Sequence, residues 1–290
     1  MELDNDFLKE EERCGFTVSA EMKKVWAVQL DLLERFQEVC HRHGLRFFAS
    51  GGTLLGAIRH KGYIPWDDDI DIMMMREDYE KLLAIAPQEF TAPYFFQTAW
   101  NDKNYSRGHA QLRNSNTTAI LASEKGHFAF NQGVFIDIFP TDAVPDDDAA
   151  FATQRKKIKF WEMMLKITAR YPANPRKTLI KNAVHLAASL VPYRFSFKQL
   201  EKACTAYNGQ GTKRVGLLSF LADDERLIFP AEAFERIETA PFENITIDIP
   251  ADYDTLLAHQ YGDYMTMKQE NSYHGGIIFD TERSYLDYLR

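Results

Sequence analysis

Cysteine is scarce in this sequence, positive charge is not in excess and no long apolar run occurs; each shortage removes a class of protein. The three cysteines, Cys14, Cys40 and Cys204, are odd in number and far apart, which fits reduced thiols better than a disulfide framework. A formal charge of −8 and a pI near 5.5 argue against a general nucleic-acid binder, which carries a basic footprint. No stretch approaches the roughly 18–20 apolar residues that a membrane-spanning helix needs. The acidic opening MELDNDFLKEEER has no apolar core of the kind a signal peptide carries, so a cytoplasmic location is expected. Internal repeats, low-complexity tracts and flexible linkers are also missing. What remains is an ordinary globular composition, 45% hydrophobic and 26% charged over 290 residues, enough for one large domain or two small ones.

The stretch with the most chemistry is FFASGGTLLGAIRHKGYIPWDDDIDIMMMREDY, from Phe47 to Tyr79. It reads as a strand over Leu45 to Ala49, a tight turn at Gly51-Gly52, a short helix from Thr53 (its cap) to about His60, a basic loop and an acidic strand. In a strand alternate side chains share a face, so Asp69 and Asp71 project together while Ile70 and Ile72 face away. Two such carboxylates repel unless a cation sits between them, and a hard divalent ion holding phosphate is the usual resolution. The glycine turn at a helix start offers free N–H groups to phosphate. Further on, GVFIDIFP embeds Asp137 between Ile136 and Ile138. A carboxylate inside an apolar run is costly unless paired or metal-bound, so Asp137 is the expected third ligand.

Other readings of the same acids are weaker. Asp67, Asp69 and Asp71 start like a calcium loop, but Ile72 and Asp78 stand where that loop needs glycine and glutamate. A D-x-D pair also serves metal-dependent glycosyltransferases. Cys40-His41 looks like half a zinc site, yet adjacent helical residues diverge by about 100° and no second pair is near; an ordinary helix end is the better reading.

Around this centre the pattern predicts a helix from Ala20 to His43 capped by Ser19 and stopped by Gly44. It predicts a helix from Glu77 to about Ile85 stopped by Pro87, then short strands in YFFQTAW, HAQLRNS, TTAILA and GVFIDIFP. A helix opens at Asp146 to Asp148, ITIDIP is a strand, and Tyr253 to His259 is a short helix stopped by Gly262. Between Arg155 and Lys202 lie twelve basic and two acidic residues, a local charge of +10 against −18 for the remainder. Amphipathic helices here, including the apolar run Ala183 to Val191, are either solvated faces or contacts for an anionic membrane surface or anionic polymer acceptor.

GGTLLGAIRHKGYIPWDDDIDIMMMREDYEKL closely resembles the signature of the LicD family, which is similar in its active-site region to fukutin and fukutin-related protein. GVFIDIFPTDAVP and PADYDTLLAHQYGDYM resemble its later blocks. The resemblance implies an α/β, nucleotidyltransferase-like (polymerase-β palm) mixed sheet with flanking helices and a helical insertion. The expected division is a catalytic core at 1–150, a basic and mainly helical insertion at 151–240, and a segment at 241–290 returning to the core. Asp69, Asp71 and Asp137 match the family's metal-holding acids, with Mg²⁺ or Mn²⁺ as cofactor, and Gly51, Gly52 and Thr53 match its turn. The implied reaction moves a phospho-alcohol, most of all phosphocholine, from a CDP-activated donor to a surface glycan or teichoic-acid precursor, releasing CMP. Arg59, Lys61 and Arg113 are expected to bind phosphate, Asp137 or Asp68 to take the hydroxyl proton, and His274 to sit near the acceptor. A choline head needs an aromatic cage, for which Trp66, Tyr105 and Trp161 are candidates. The zinc-binding loop of some animal relatives has no matching Cys/His set. The alternatives are a nucleotidyltransferase or D-x-D glycosyltransferase, and a non-catalytic glycan- or membrane-binding module.

Overall fold

The computed structural model describes residues 6–126, 128–169, 186, 187, 190–268 and 276–289. A small hairpin of β1 (Glu11–Arg13) and β2 (Phe16–Val18) leads into α1 (Ala20–Arg42). Ser19 caps α1 by accepting from the Met22 N–H, and Gly44 follows its end with φ +64°, as expected of a cap and a left-handed stop. Next come β3 (Phe48–Ala49), α2 (Gly51–Arg59), β4 (Asp71–Met75) and α3 (Arg76–Glu89). β5 (Tyr94–Gln97), β6 (Ala110–Asn114), β7 (Thr118–Leu121) and β8 (Val134–Val144) supply the strands expected between Pro93 and Pro140. The helical hairpin α4 (Asp148–Thr168) and α5 (Tyr193–Cys204) follows. The chain then returns through β9 (Arg214–Gly216), α6 (Leu218–Leu221), β10 (Ile228–Pro230), β11 (Ile237–Phe242), β12 (Ile245–Pro250), α7 (Tyr253–Tyr261) and β13 (Ile277–Asp280).

The central sheet has seven strands and is mixed, with helices beside it, the α/β class expected. β8 is its spine. β4 runs parallel along one edge of β8, while β6 and then β9 pair antiparallel with its first and last residues on the other. Alternation divides the faces. Ile70, Ile72, Met74, Ile136 and Ile138 enter the core that contains Trp26, Leu30, Leu33 and Phe36 of α1. Met73 and Phe139 enter a second core with Phe48, Phe229 and Phe234.

Four local expectations shift. The first strand shortens to two residues. The glycine pair is the first turn of α2 rather than a turn before it, and Thr53 does not cap the helix: Ser50 takes the cap position. The acidic strand begins only at Asp71, leaving 67–70 as a loop. Pro87 lies inside the last turn of α3; without an N–H it forfeits one helical bond, and the helix ends two residues later. The expected helical run Ala183 to Val191 lies mostly outside the described residues, as do Arg170, Arg176, Lys177 and Lys181.

In the helical hairpin, burial pushes the carboxyls of Glu162 and Glu201 up to about 7, outweighing nearby Lys166 and Arg76. Both folded values exceed the ordinary one, so their contribution to stability is complete in acid and is lost as pH rises through about 7. Urea unfolding at pH 5.5 and pH 8 checks this. Glu162→Gln with Glu201→Gln is expected to shrink the difference between the two pH values; an unchanged difference would rule the effect out.

Candidate active site

Parallel pairing sets Asp71 directly opposite Asp137, so both side chains leave the same face of the sheet. Asp69 joins them from the loop before β4: one carboxylate oxygen from each of Asp69, Asp71 and Asp137 lies within 4.8 Å of the other two. Asp67, Asp68 and Asp69 form a second such group. The donors are all hard carboxylate oxygens, a set that suits Mg²⁺ or Mn²⁺ and not a thiolate-seeking metal.

The acidic loop is held from below by α1. Trp26 Nε1 donates to the Asp67 carbonyl at 3.1 Å, and Gln29 Nε2 donates to the Asp68 carbonyl at 2.8 Å. Tyr63 stacks on Trp26 with ring centroids 4.3 Å apart, and its hydroxyl donates to Gln29 Oε1. A polar residue on the apolar stripe of a helix thus fixes loop backbone that would otherwise be buried without partners. From the other side comes the start of α2. Gly51 has φ +52°, and a Cβ there would lie 3.4 Å from Asp71 Oδ2; a Cβ on Gly52 would lie 2.6 Å from Asp67 Oδ2. Glycine is needed for this approach, which sets carboxylates at the positive end of a helix dipole. Thr53 Oγ1 accepts from the Asp71 N–H at 2.8 Å, tying helix to strand. The Tyr261 hydroxyl lies 3.8 Å from the Gly51 Cβ position, so α7 borders the site.

The acids differ in character. Burial, and then the charges of Asp71, Asp67, Asp68 and Asp137, hold the Asp69 carboxyl well above its usual range. Burial alone would raise Asp137 as well, yet His109, Arg107 and Gln111 bring it below the ordinary value. His109 Nε2 lies 3.0 Å from Asp137 Oδ1, and Gln111 Nε2 donates to the same oxygen at 2.7 Å. One carboxylate is therefore held ionised beside another whose ionisation is opposed, the arrangement a cation relieves.

Residues 44–177 match the family described as LicD/FKTN/FKRP, nucleotidyltransferase domain. The chain carries a LicD-family domain. The lipopolysaccharide cholinephosphotransferase LicD of Haemophilus influenzae is 28% identical over 245 residues, 84% of this chain and 91% of that protein. An uncharacterized protein of Rickettsia prowazekii is 31% identical over 110 residues, 38% of this chain and 39% of its own. Human ribitol 5-phosphate transferase FKRP is 51% identical over 35 residues, 12% of this chain and 7% of that protein. Gly51, Gly52, Thr53 and every acid of the two groups fall inside the LicD domain.

Other expected site residues of the LicD domain are placed elsewhere. Arg113 is buried and does not face the acids: Nε donates to Gln97 Oε1, Nη1 to the Gly133 carbonyl at 2.6 Å and Nη2 to Gln111 Oε1. Burial brings it down to about 10. Its work is internal, since occupying Gln111 Oε1 turns Gln111 Nε2 towards Asp137. Arg59 and Lys61 stand at the far end of α2 from Gly51, about 12 Å along the axis. Arg59 Nη1 donates to the Tyr264 carbonyl, and Lys61, at φ +61°, donates to the Ile58 carbonyl. Asp68 is buried next to Asp69. The three aromatic candidates form no cage: Trp66 packs on Phe16 and His60, Tyr105 is buried with its hydroxyl on the His109 carbonyl, and Trp161 packs on Phe160 and Phe195. His274 lies outside the described residues.

Sequence reading missed His109, Gln111 and Gln29. The signal for the first two was present in HAQLR: His109, just before β6, and Gln111 and Arg113 within it are polar residues of one parity, and Gln97, Gln111, Asp137 and Asp71 are register partners in one row across four strands.

Proposed function

We propose that this LicD-type phosphotransferase moves a phospho-alcohol, phosphocholine before ribitol or glycerol phosphate, from a CDP-activated donor to a hydroxyl of a surface glycan. The acceptor is lipopolysaccharide, as the name of the Haemophilus relative states for that protein, or a teichoic-acid precursor. The meeting of Asp69, Asp71 and Asp137 beside the start of α2 carries this reading. Phosphoryl transfer asks a protein chiefly to align the reactants and to balance charge on the phosphate oxygens.

Asp69, Asp71 and Asp137 are the residues that would hold one or two Mg²⁺ ions in a palm-like nucleotidyltransferase arrangement. Bound there, the metal supplies Lewis-acid neutralisation of the donor diphosphate. The N–H groups of the first turn of α2 receive phosphate oxygens, and Gly51 and Gly52 leave room for them. Asp137 or Asp68 takes the proton of the attacking hydroxyl.

The deciding experiment incubates protein, Mg²⁺ and a lipopolysaccharide or teichoic-acid acceptor with CDP-choline, CDP-ribitol or CDP-glycerol. CMP release with an acceptor mass gain of one phospho-alcohol supports the reading. Pyrophosphate or CDP release would instead indicate a nucleotidyltransferase or glycosyltransferase, and no turnover with any donor a binding module.

The pair of bonds to Asp137 Oδ1 leads to a second expectation. His109→Ala and Gln111→Ala each weaken Mn²⁺ binding, followed by electron paramagnetic resonance, by about 10–100-fold, the usual cost of losing an outer-shell partner. Unchanged affinity in both would remove them from the site.

Among the described residues no helix is long and apolar enough to cross a membrane. Peripheral contact on the cytoplasmic face is supported by Phe160, Met163 and Phe195, exposed on the basic hairpin. Sedimentation with anionic vesicles, falling above roughly 0.3 M salt as screening shortens, is the expected result; sedimentation indifferent to salt would remove the electrostatic contact.

A further inference from the structure

We propose that the cleft between α4 and α5 binds an anionic stretch of the glycan acceptor, away from the hydroxyl that reacts. The inference rests on the phosphotransferase reading for the word acceptor, but the site is defined by its own residues. Its volume is about 510 Å³, and Lys157, Trp161, Gln154, Gln199, Lys202 and Tyr207 line it.

The charges in the cleft are unbalanced. Elsewhere on α4, Arg155 and Lys159 are paired with Asp223. Lys157 on α4 and Lys202 on α5 face one cleft, both exposed, and neither has an ion-pair partner among the described residues. Two ammonium groups brought to one concavity repel each other, and a phosphate or carboxylate between them removes the repulsion.

The polar lining adds a second, independent feature. Gln154 is 3% exposed; its Nε2 donates to the carbonyls of Ala203 and Cys204, both at 3.0 Å, satisfying the end of α5. That fixes the amide's orientation and leaves Oε1 buried with no hydrogen-bond partner among the described residues. A buried acceptor without a donor is costly, and a hydroxyl is the group that fits it. Amide side chains, two half-buried aromatic rings and two cations describe a site for a hydroxylated, charged chain such as a phosphorylated oligosaccharide. A bilayer surface suits it poorly, because the lining is concave and polar, whereas Phe160, Met163 and Phe195 are not among its lining residues.

The cleft's place in the fold fits an extended acceptor. Asn208, next to Tyr207, donates to Asp142 Oδ1 at 2.8 Å. Asp142 lies five residues beyond Asp137 on β8, about 17 Å along the strand. A glycan seated in the cleft must therefore span several sugar units to bring a hydroxyl to the acids.

Calorimetric titration with the phosphorylated oligosaccharide obtained by deacylating lipopolysaccharide, without donor or metal, tests the site directly. Wild-type protein and Asp69→Ala are expected to bind it equally, and the dephosphorylated oligosaccharide more weakly. Lys157→Ala combined with Lys202→Ala is expected to weaken binding by at least about tenfold, from the loss of charge-assisted hydrogen bonds. The thermal midpoint should stay unchanged, and sedimentation with phosphatidylglycerol vesicles should fall by much less than oligosaccharide binding does. Where transfer is measurable, the double variant raises KM for the acceptor at unchanged kcat. Equal binding by the double variant, or loss of vesicle binding in place of oligosaccharide binding, overturns the proposal. Oligosaccharide binding without any CMP release upholds the cleft while removing the phosphotransferase reading.

Discussion

Replacing Asp69 or Asp71 by alanine is expected to lower the transfer rate at least about a hundredfold, the scale on which loss of a main electrostatic contributor acts. The fold should survive both changes. Asp69 is crowded by four like charges, so its removal relieves repulsion. The backbone bonds of Asp71, from its N–H to Thr53 Oγ1 and from the Ser50 N–H to its carbonyl, do not need the carboxylate. The two variants are therefore expected to melt no lower than wild type while losing turnover. Initial rates of CMP release, with a thermal melt on the same preparations, give the answer. Activity within a few-fold of wild type in either variant would falsify the central assignment.

The second large effect is on stability. Arg76 opens α3, and its guanidinium grips Asp142 with both Nε and Nη2, at 2.8 and 2.6 Å, while Nη1 donates to Glu201 at 2.9 Å. Asp142 is fully buried. Arg76 thereby ties β8, α3 and α5 together through one side chain. Arg76→Ala leaves a buried carboxylate uncompensated, a loss of about 3–5 kcal/mol and roughly 6–15 °C in melting temperature. Arg76→Lys should recover little, because an ammonium group cannot reproduce the two-pronged bond. The double change Arg76→Met with Asp142→Leu should recover much of the loss, since a buried pair is worth little over a well-packed apolar one. Denaturant unfolding of the three variants is the measurement; a loss below about 1 kcal/mol in Arg76→Ala would show that Asp142 is satisfied by Asn208 alone.

The sequence reading went furthest where a local pattern leaves little choice. Ser19 and Gly44 bracket α1 because a cap and a left-handed stop act on neighbouring residues. The alternation of Asp69-Ile70-Asp71-Ile72 gave the face of each side chain, although the strand itself begins only at Asp71. The cations are less legible. The charge type of Arg59, Lys61 and Arg113 suits phosphate, but charge type does not say where a side chain ends. Arg113 lies in a strand whose polar parity points to the row of acids, but its length carries it to Gln97, Gly133 and Gln111. Spacing suits Thr53 to a cap, whereas its hydroxyl meets a strand 18 residues away.

By itself the sequence determined that this is an acidic α/β protein with a glycine pair at Gly51-Gly52, acids at Asp69 and Asp71 and a further acid, Asp137, inside an apolar run, and that its basic charge is gathered between 155 and 202. Such properties follow from residue type and short-range periodicity. Tertiary structure alone decided that Asp71 stands opposite Asp137, that His109 and Gln111 share one oxygen of that acid, and that Lys157 and Lys202 line one cleft. Each of these depends on strand register or helix packing between segments tens of residues apart. Register and packing are set by the whole buried core at once, and no local stretch of chain encodes them.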